Sequence, residues 1–151
     1  MEPFSGELDF LINRLAPQLI TATACGFIIG YGREKRNRPA GIRTNILIAL
    51  GCTLYTALTF KLTEQFPQID PTRVIGQIAV GVGFLGAGAI QKSEQKITGI
   101  TTAAFIWVIS AIGVMIGYNM YLIPLSATLF IVLITAIFEQ VEKKVNKQHL
   151  N

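Results

Sequence analysis

Five stretches of this chain carry no acidic or basic side chain: residues 15–31, 46–60, 74–90, 97–118 and 121–138. Each is 15 to 22 residues long. A helix needs about 20 apolar residues to cross a hydrocarbon core, and in lipid a lone segment satisfies its own backbone polar groups only as a helix. The pattern predicts an all-α integral membrane protein, a bundle of five transmembrane helices. Composition agrees: 15% of the 151 residues are charged, against about 25% in a soluble domain. The second block is the shortest and reaches full length if residues 42–45 continue its helix. Tyr118 to Tyr121, with Pro124 beyond, reads as a tight hairpin, because one helix through both flanking blocks would far exceed the bilayer.

Charge sets the orientation. Arg33, Lys35, Arg36, Arg38 and Arg43 crowd the loop between the first two blocks, against the single acid Glu34. With that loop in the cytoplasm, alternation places ten basic residues inside and three (Arg14, Lys61, Arg73) outside. The positive-inside rule selects this arrangement, with the N-terminus outside and the C-terminus cytoplasmic. Residues 1–140 then form the transmembrane domain and 141–151 a short cytoplasmic tail. Leu8, Phe10, Leu11, Ile12 and Leu15, interleaved with Asp9, Asn13 and Arg14, read as an amphipathic lead-in that Pro17 is expected to kink. The acidic start, Met-Glu-Pro-Phe-Ser-Gly-Glu, lacks the basic region of a signal peptide, so no cleavage is expected.

The net charge of +4 does not point to nucleic acid. The cations sit at the ends of apolar blocks, where they orient the chain and meet anionic lipid, and no basic patch is interleaved with base-stacking aromatics. Cys25 and Cys52 fall within spans as small apolar side chains. The only histidine is His149, and no span holds two acids. No catalytic set, metal site or cofactor is expected.

Gly81-Val-Gly-Phe-Leu-Gly86 formally matches a dinucleotide fingerprint, which requires a preceding strand that an apolar helix does not offer. Gly76, Gly81, Gly83, Gly86 and Gly88 read instead as a small-residue face for close helix packing. Asp70 and Pro71 make an ordinary helix start, at the N-cap and N1. Arg73 and Gln77 follow on the same face, and with Asp70 they form a candidate polar network at the outer mouth. Asn45, beside Arg43 and Thr44, lies at a depth where polar groups face protein or water. Thr101 and Thr102 begin the fourth helix at the same level, and back-bonding to helix carbonyls is their simplest use. Trp107 is mid-span, so its indole N–H is expected to find a partner inside the bundle. Gly26-Phe-Ile and Gly41-Ile-Arg-Thr echo Gly83-Phe-Leu and Gly99-Ile-Thr-Thr. The echo predicts that the first two hairpins are parallel repeats.

Gly30-Tyr-Gly-Arg-Glu, Pro39-Ala-Gly-Ile-Arg-Thr-Asn45, Asp70-Pro-Thr-Arg-Val-Ile-Gly-Gln77, residues 81–90 and Thr98-Gly-Ile-Thr-Thr-Ala-Ala104 with Trp107 closely resemble the MgtC/SapB family, in order and over nearly the whole chain. The resemblance implies a bacterial inner-membrane protein with about five spans. It also implies links to growth at low Mg²⁺, survival inside host cells and inhibition of the proton-translocating ATP synthase. Virulence-linked members carry a soluble C-terminal domain with no expected counterpart here. They also have Asn and Cys where this chain has Thr101 and Val108. These departures bear on the ATP-synthase activity and leave the membrane fold intact.

Two functions fit these residues. The first is a non-enzymatic regulatory protein, acting through helix contacts with a second copy or another inner-membrane complex. The second is a small transporter or channel. The candidate residues are Arg33, Glu34, Arg43, Thr44 and Asn45 at the cytoplasmic mouth, Asp70, Arg73 and Gln77 at the outer one, and Thr101, Thr102 and Trp107 between helices. One cavity lined by Asn45, Gln77 and Thr101 would favour transport, and an exposed glycine face would favour regulation.

Overall fold

A computed structural model describes residues 2–148 of the chain; His149 lies outside them. The elements in order are α1 (Glu2–Phe10), a π turn (Leu11–Leu15), α2 (Ala16–Glu34), α3 (Ile42–Gln65), α4 (Pro71–Gly88), the strands β1 (Gln91–Lys92) and β2 (Ile97–Thr98), α5 (Ile100–Gly117) and α6 (Leu122–Gln148). α1, the π turn and α2 run on as one helix. Four helical stretches are long and apolar enough to cross a membrane: Gly6–Glu34, Ile42–Gln65, Ile100–Gly117 and Leu122–Glu142. α4 matches α5 in length, at 18 residues each, but Arg73, Gln77 and its glycines dilute its apolar character.

The helices alternate in direction, so one end of the bundle gathers the 35–41 loop, the 89–99 hairpin and the last turns of α6. This is the basic end. α3 is central: it packs on α2, on α5 and on α4, while α6 lies against α2 and α5. Ala22, Cys25 and Ile29 of α2, Ala49 of α3, and Ile109, Ile112 and Ile116 of α5 form the core. Cys52, Val82 and Ile106 extend it between α3, α4 and α5.

Close approach of backbones makes this core possible. A methyl group on Gly26 would lie 2.7 Å from Ile46 Cα, and one on Gly30 would lie 2.5 Å from Ile42 Cα. On α5, a methyl on Gly113 would meet the Ala49 carbonyl oxygen at 2.6 Å, and one on Gly117 would meet Thr56 Cβ at 2.5 Å. Thr53 also donates its hydroxyl to the Gly113 carbonyl at 3.0 Å. Small residues and interhelical hydroxyls stand in for the hydrophobic effect, which lipid cannot supply between helices.

The glycines expected to pack behave differently. Gly86 alone of the five meets a neighbour, Ala103 at 3.6 Å. Gly76, Gly81, Gly83 and Gly88 have nothing within 4 Å of an added methyl, so among the described residues only Gly86 of this set packs against another helix. Gly26 and Gly83, which echo one another in sequence, differ in surroundings: a methyl on Gly26 would press on α3, and one on Gly83 would meet nothing within 4 Å. Residues 97–99 leave the fourth block as well. Ile97 and Lys92, and Thr98 and Gln91, pair as a two-stranded hairpin. Gly99 follows at φ +88° with its α carbon close against the Ala89 carbonyl, a conformation and contact open only to glycine.

Pro17 acts through the π turn. It has no N–H to donate to Asn13, and its ring would clash with that carbonyl in a regular helix. The chain takes in an extra residue, and the Ala16 N–H reaches back to the Leu11 carbonyl. At the same end of the bundle, Arg14 Nη1 pairs with Glu64 Oε1 at 2.7 Å, and the Lys61 ammonium sits 4.4 Å from the Phe10 ring centre. The expected hairpin at 118–121 is present, with Asn119 at φ +60°. Buried Gln18 donates to the Gly117 carbonyl at 3.0 Å and to Asn119 Oδ1 at 2.9 Å, which fixes the hairpin on α2.

Candidate functional site

Arg33 organises the basic end. It occupies the last turn of α2, where Gly30 lets α3 start close by, and the 35–41 loop must fold back tightly to join the two. Asn37 at φ +51° and Ala40 at φ +57° make that reversal. It leaves the Pro39 and Ala40 carbonyls facing the end of α2. Arg33 Nε donates to them at 3.0 and 3.2 Å, and Nη2 donates to the Pro39 oxygen at 2.7 Å and to Thr102 Oγ1 at 2.8 Å. The guanidinium lies 4.4 Å from the ring centre of Phe105. Arg33 is 5% exposed, and no carboxylate pairs with it among the described residues. Burial of a charge is costly unless it is paired and hydrogen-bonded. Here carbonyl dipoles, a hydroxyl and a π face supply only part of that compensation.

Nearby acids serve elsewhere. Glu34 Oε2 accepts from the Ile42 N–H at 2.9 Å and closes the first turn of α3. Glu139 pairs with Arg36 at 2.8 Å, tying α6 to the loop. Asn45 is fully buried. Its Nδ2 donates to the Ala40 and Gly41 carbonyls at 2.7 and 2.8 Å, while its Oδ1 has no partner. The loop is therefore held from three sides, by Arg33, Glu34 and Asn45.

These contacts form the wall of a cavity of about 770 Å³ at the basic end. Arg33, Thr44, Thr101, Thr102 and Phe105 line it, with Arg36, Arg38, Glu139 and Glu142 also contributing. A second space, of about 710 Å³, is an apolar groove between α3 and α4, lined by Leu47, Tyr55, Val82, Arg73 and Gln77 among others.

The structure separates the expected residues. Arg33, Thr44, Thr101 and Thr102 share the basic-end cavity, and Glu34 and Asn45 build the loop beside it. Arg43 is exposed and outside the cavity lining. Arg73 and Gln77 belong to the lateral groove, and no hydrogen bond joins them to Asp70 among the described residues. Asp70 instead caps α4, accepting from the Thr72 N–H at 2.9 Å and its hydroxyl at 2.7 Å. Those two donors hold its carboxyl below the ordinary range. Trp107 is 55% exposed on the outer face of α5, so the bundle does not enclose its indole as its mid-span position implied. Thr102 receives Arg33 and is not recorded bonding back to its own helix. Asn45, Gln77 and Thr101 occupy three separate environments. The sequence reading missed Gln18, Phe105 and the Arg36–Glu139 tie. For Phe105 the only signal was its place one turn after Thr101 and Thr102.

A model of the MgtC family matches residues 19–144. The chain belongs to the MgtC family. The match contains every residue named above in the basic-end cavity and omits the N-terminal lead-in. Among curated MgtC-family relatives, the chain is 39% identical over 127 residues to "Putative magnesium transporter YhiD" of Escherichia coli (strain K12), covering 81% of this chain and 59% of that protein. It is 36% identical over 135 residues to Protein SapB of Bacillus subtilis (strain 168), covering 85% and 58%. It is 34% identical over 139 residues to Protein MgtC of Salmonella typhimurium (strain LT2), covering 91% and 56%. The chain thus spans somewhat more than half the length of these relatives. No solved structure matches it. Family and helices together make it a multi-pass protein of the bacterial inner membrane.

Proposed function

We propose that this MgtC-family chain is a non-enzymatic regulatory protein of the inner membrane, linked to adaptation to Mg²⁺ limitation. It works through contacts of α4 with a second copy or with another membrane complex, with its basic end in the cytoplasm. One observation supports this reading most directly. A methyl group added to Gly76, Gly81, Gly83 or Gly88 of α4 would meet nothing within 4 Å among the described residues. Glycine on a lipid-facing surface adds little apolar area, whereas against another helix it permits backbone approach. The separation of Asn45, Gln77 and Thr101 adds to this, because they do not line one passage.

The second reading is transport, which the name of the YhiD relative carries and which the basic-end cavity favours. One experiment separates the two. Reconstituted protein is assayed for Mg²⁺ flux, and its self-association is measured by crosslinking in the same vesicles. The regulatory reading expects no saturable flux and an association that Gly81→Leu or Gly83→Leu abolishes. Saturable Mg²⁺ flux lost on Thr44→Val would overturn it.

A further inference from the structure

The geometry of the basic-end cavity points to a binding site for a phosphoryl anion, either the phosphate of an anionic lipid headgroup or free phosphate. We propose this as a property of the chain independent of the α4 contacts. It starts from the unused part of Arg33. Three of the five guanidinium N–H groups are engaged, those on Nε and Nη2. Nη1 makes no hydrogen bond among the described residues, and it is not fully enclosed as Gln18 Oε1 and Asn45 Oδ1 are. A side chain that is 95% buried thus keeps an open pair of donors on the cavity that it lines.

Charge and donors agree on the ligand class. Glu139 is paired with Arg36, and Glu34 is engaged by the Ile42 N–H. Arg33, Arg36 and Arg38 outnumber Glu139 and Glu142 on the lining, and Arg33, the cation held deepest, pairs with no carboxylate among the described residues. The hydroxyls of Thr44 and Thr101 make no hydrogen bond among the described residues, and Thr102, whose oxygen receives Arg33, keeps its hydroxyl proton to donate. The N-terminus of α5 opens at the same place, starting from Gly99 with no side-chain cap. The Nη1 donors, hydroxyls and uncapped helix N–H groups come from three elements and suit the three acceptor oxygens of a phosphoryl group. At about 770 Å³ the cavity has room for a free ion or a headgroup.

The test uses the full chain and two sources of the same chemistry. In uncharged detergent, inorganic phosphate is titrated calorimetrically, with acetate at matched ionic strength beside it. In nanodiscs of phosphatidylcholine with or without phosphatidylglycerol, retained lipid is counted by native mass spectrometry. Arg38→Gln and Thr101→Val are the variants, because neither side chain makes a bond recorded as holding the fold. Arg33→Lys is a third, since it keeps the charge and loses the fork. Phosphate or phosphatidylglycerol should bind specifically, and each of the first two variants should weaken binding about tenfold, the loss of one charge-assisted or hydroxyl bond. Saturation by inorganic phosphate identifies the free ion, and selective retention of phosphatidylglycerol alone identifies the headgroup. Binding of neither, equal binding of acetate, or parental affinity in both variants would overturn the assignment. Failure of the α4 variants to alter association would leave it untouched.

Discussion

The substitution Gly30→Ala is the sharpest test of how α2 and α3 are joined. Its methyl group would sit 2.5 Å from Ile42 Cα, 2.8 Å from Ile42 N and 2.9 Å from the Gly41 carbonyl oxygen. All three are backbone atoms, so no rotamer change relieves the contact. The start of α3 must retreat by about 1 Å to reach ordinary van der Waals distance. Overpacking of this kind costs about 1–3 kcal/mol. The retreat also lengthens the bonds that Arg33 and Asn45 make to Pro39 and Ala40, now 2.7 Å each, at about 1 kcal/mol apiece. Alanine returns about 0.5–1 kcal/mol through its helix preference. The net loss is about 2–4 kcal/mol, or roughly 4–16 °C in midpoint by the scaling for domains of this size. Gly83→Ala is the matched control: it meets nothing within 4 Å, so only the helix preference acts and the midpoint of monomeric protein should rise slightly. Cys25 and Cys52, both free and buried, are built-in reporters for a thiol-reactive fluorogenic dye during heating. Equal midpoints for Gly30→Ala and the parent, or an equal fall for Gly83→Ala, would refute the reasoning.

Three further outcomes are expected. Gln18→Leu removes the donor to Gly117 and Asn119 and should speed hydrogen exchange across residues 118–121 several-fold while leaving the 35–41 loop unchanged, as read by mass spectrometry. Asp70 has a lowered folded pKa, so its cap on α4 is fully present above the ordinary carboxylate value of about 3.9 and is lost as pH falls through the lower folded value. Amide exchange at Thr72 should quicken across that acid window, and Asp70→Asn should flatten the response. Single cysteines placed by Lys35→Cys and Gln68→Cys should be labelled by an impermeant maleimide from the cytoplasmic and outer faces respectively, and the reverse pattern would invert the assigned orientation.

Helix positions were legible because charge is excluded from lipid: the charge-free blocks land on the helices, and the start of α3 at Ile42 follows once exposed Arg43 is allowed to snorkel from its first turn. The cap at Asp70 was legible for a similarly local reason, whereas the use of Glu34 on the Ile42 N–H was not. Which glycines pack was not. Gly26 and Gly30, and Gly113 and Gly117, repeat at a spacing of four, and the α4 glycines are just as closely grouped. A spacing cannot say which face of a helix receives a neighbour. Arg33 shows the same limit at the site. The sequence counts it as one of five loop cations, whereas the reversal at Asn37 and Ala40 delivers the carbonyls that take it out of solvent. Trp107 failed in the opposite sense, because being mid-span in a membrane helix is compatible with facing lipid.

The π turn at Leu11–Leu15 has a consequence for how the chain tolerates length changes. Each residue advances an α-helix by about 100°, so the additional residue there sets the angular phase of everything before it. Deleting one residue from that turn would rotate residues 2–10 by about that angle and bring the Pro17 ring against the carbonyl four residues before it. Phe10 would swing away from Lys61, while Gln18, beyond the turn, would hold its place on Gly117. The lead-in and the membrane-crossing body thus have separate rotational settings, joined at a turn whose extra residue is what lets Pro17 follow.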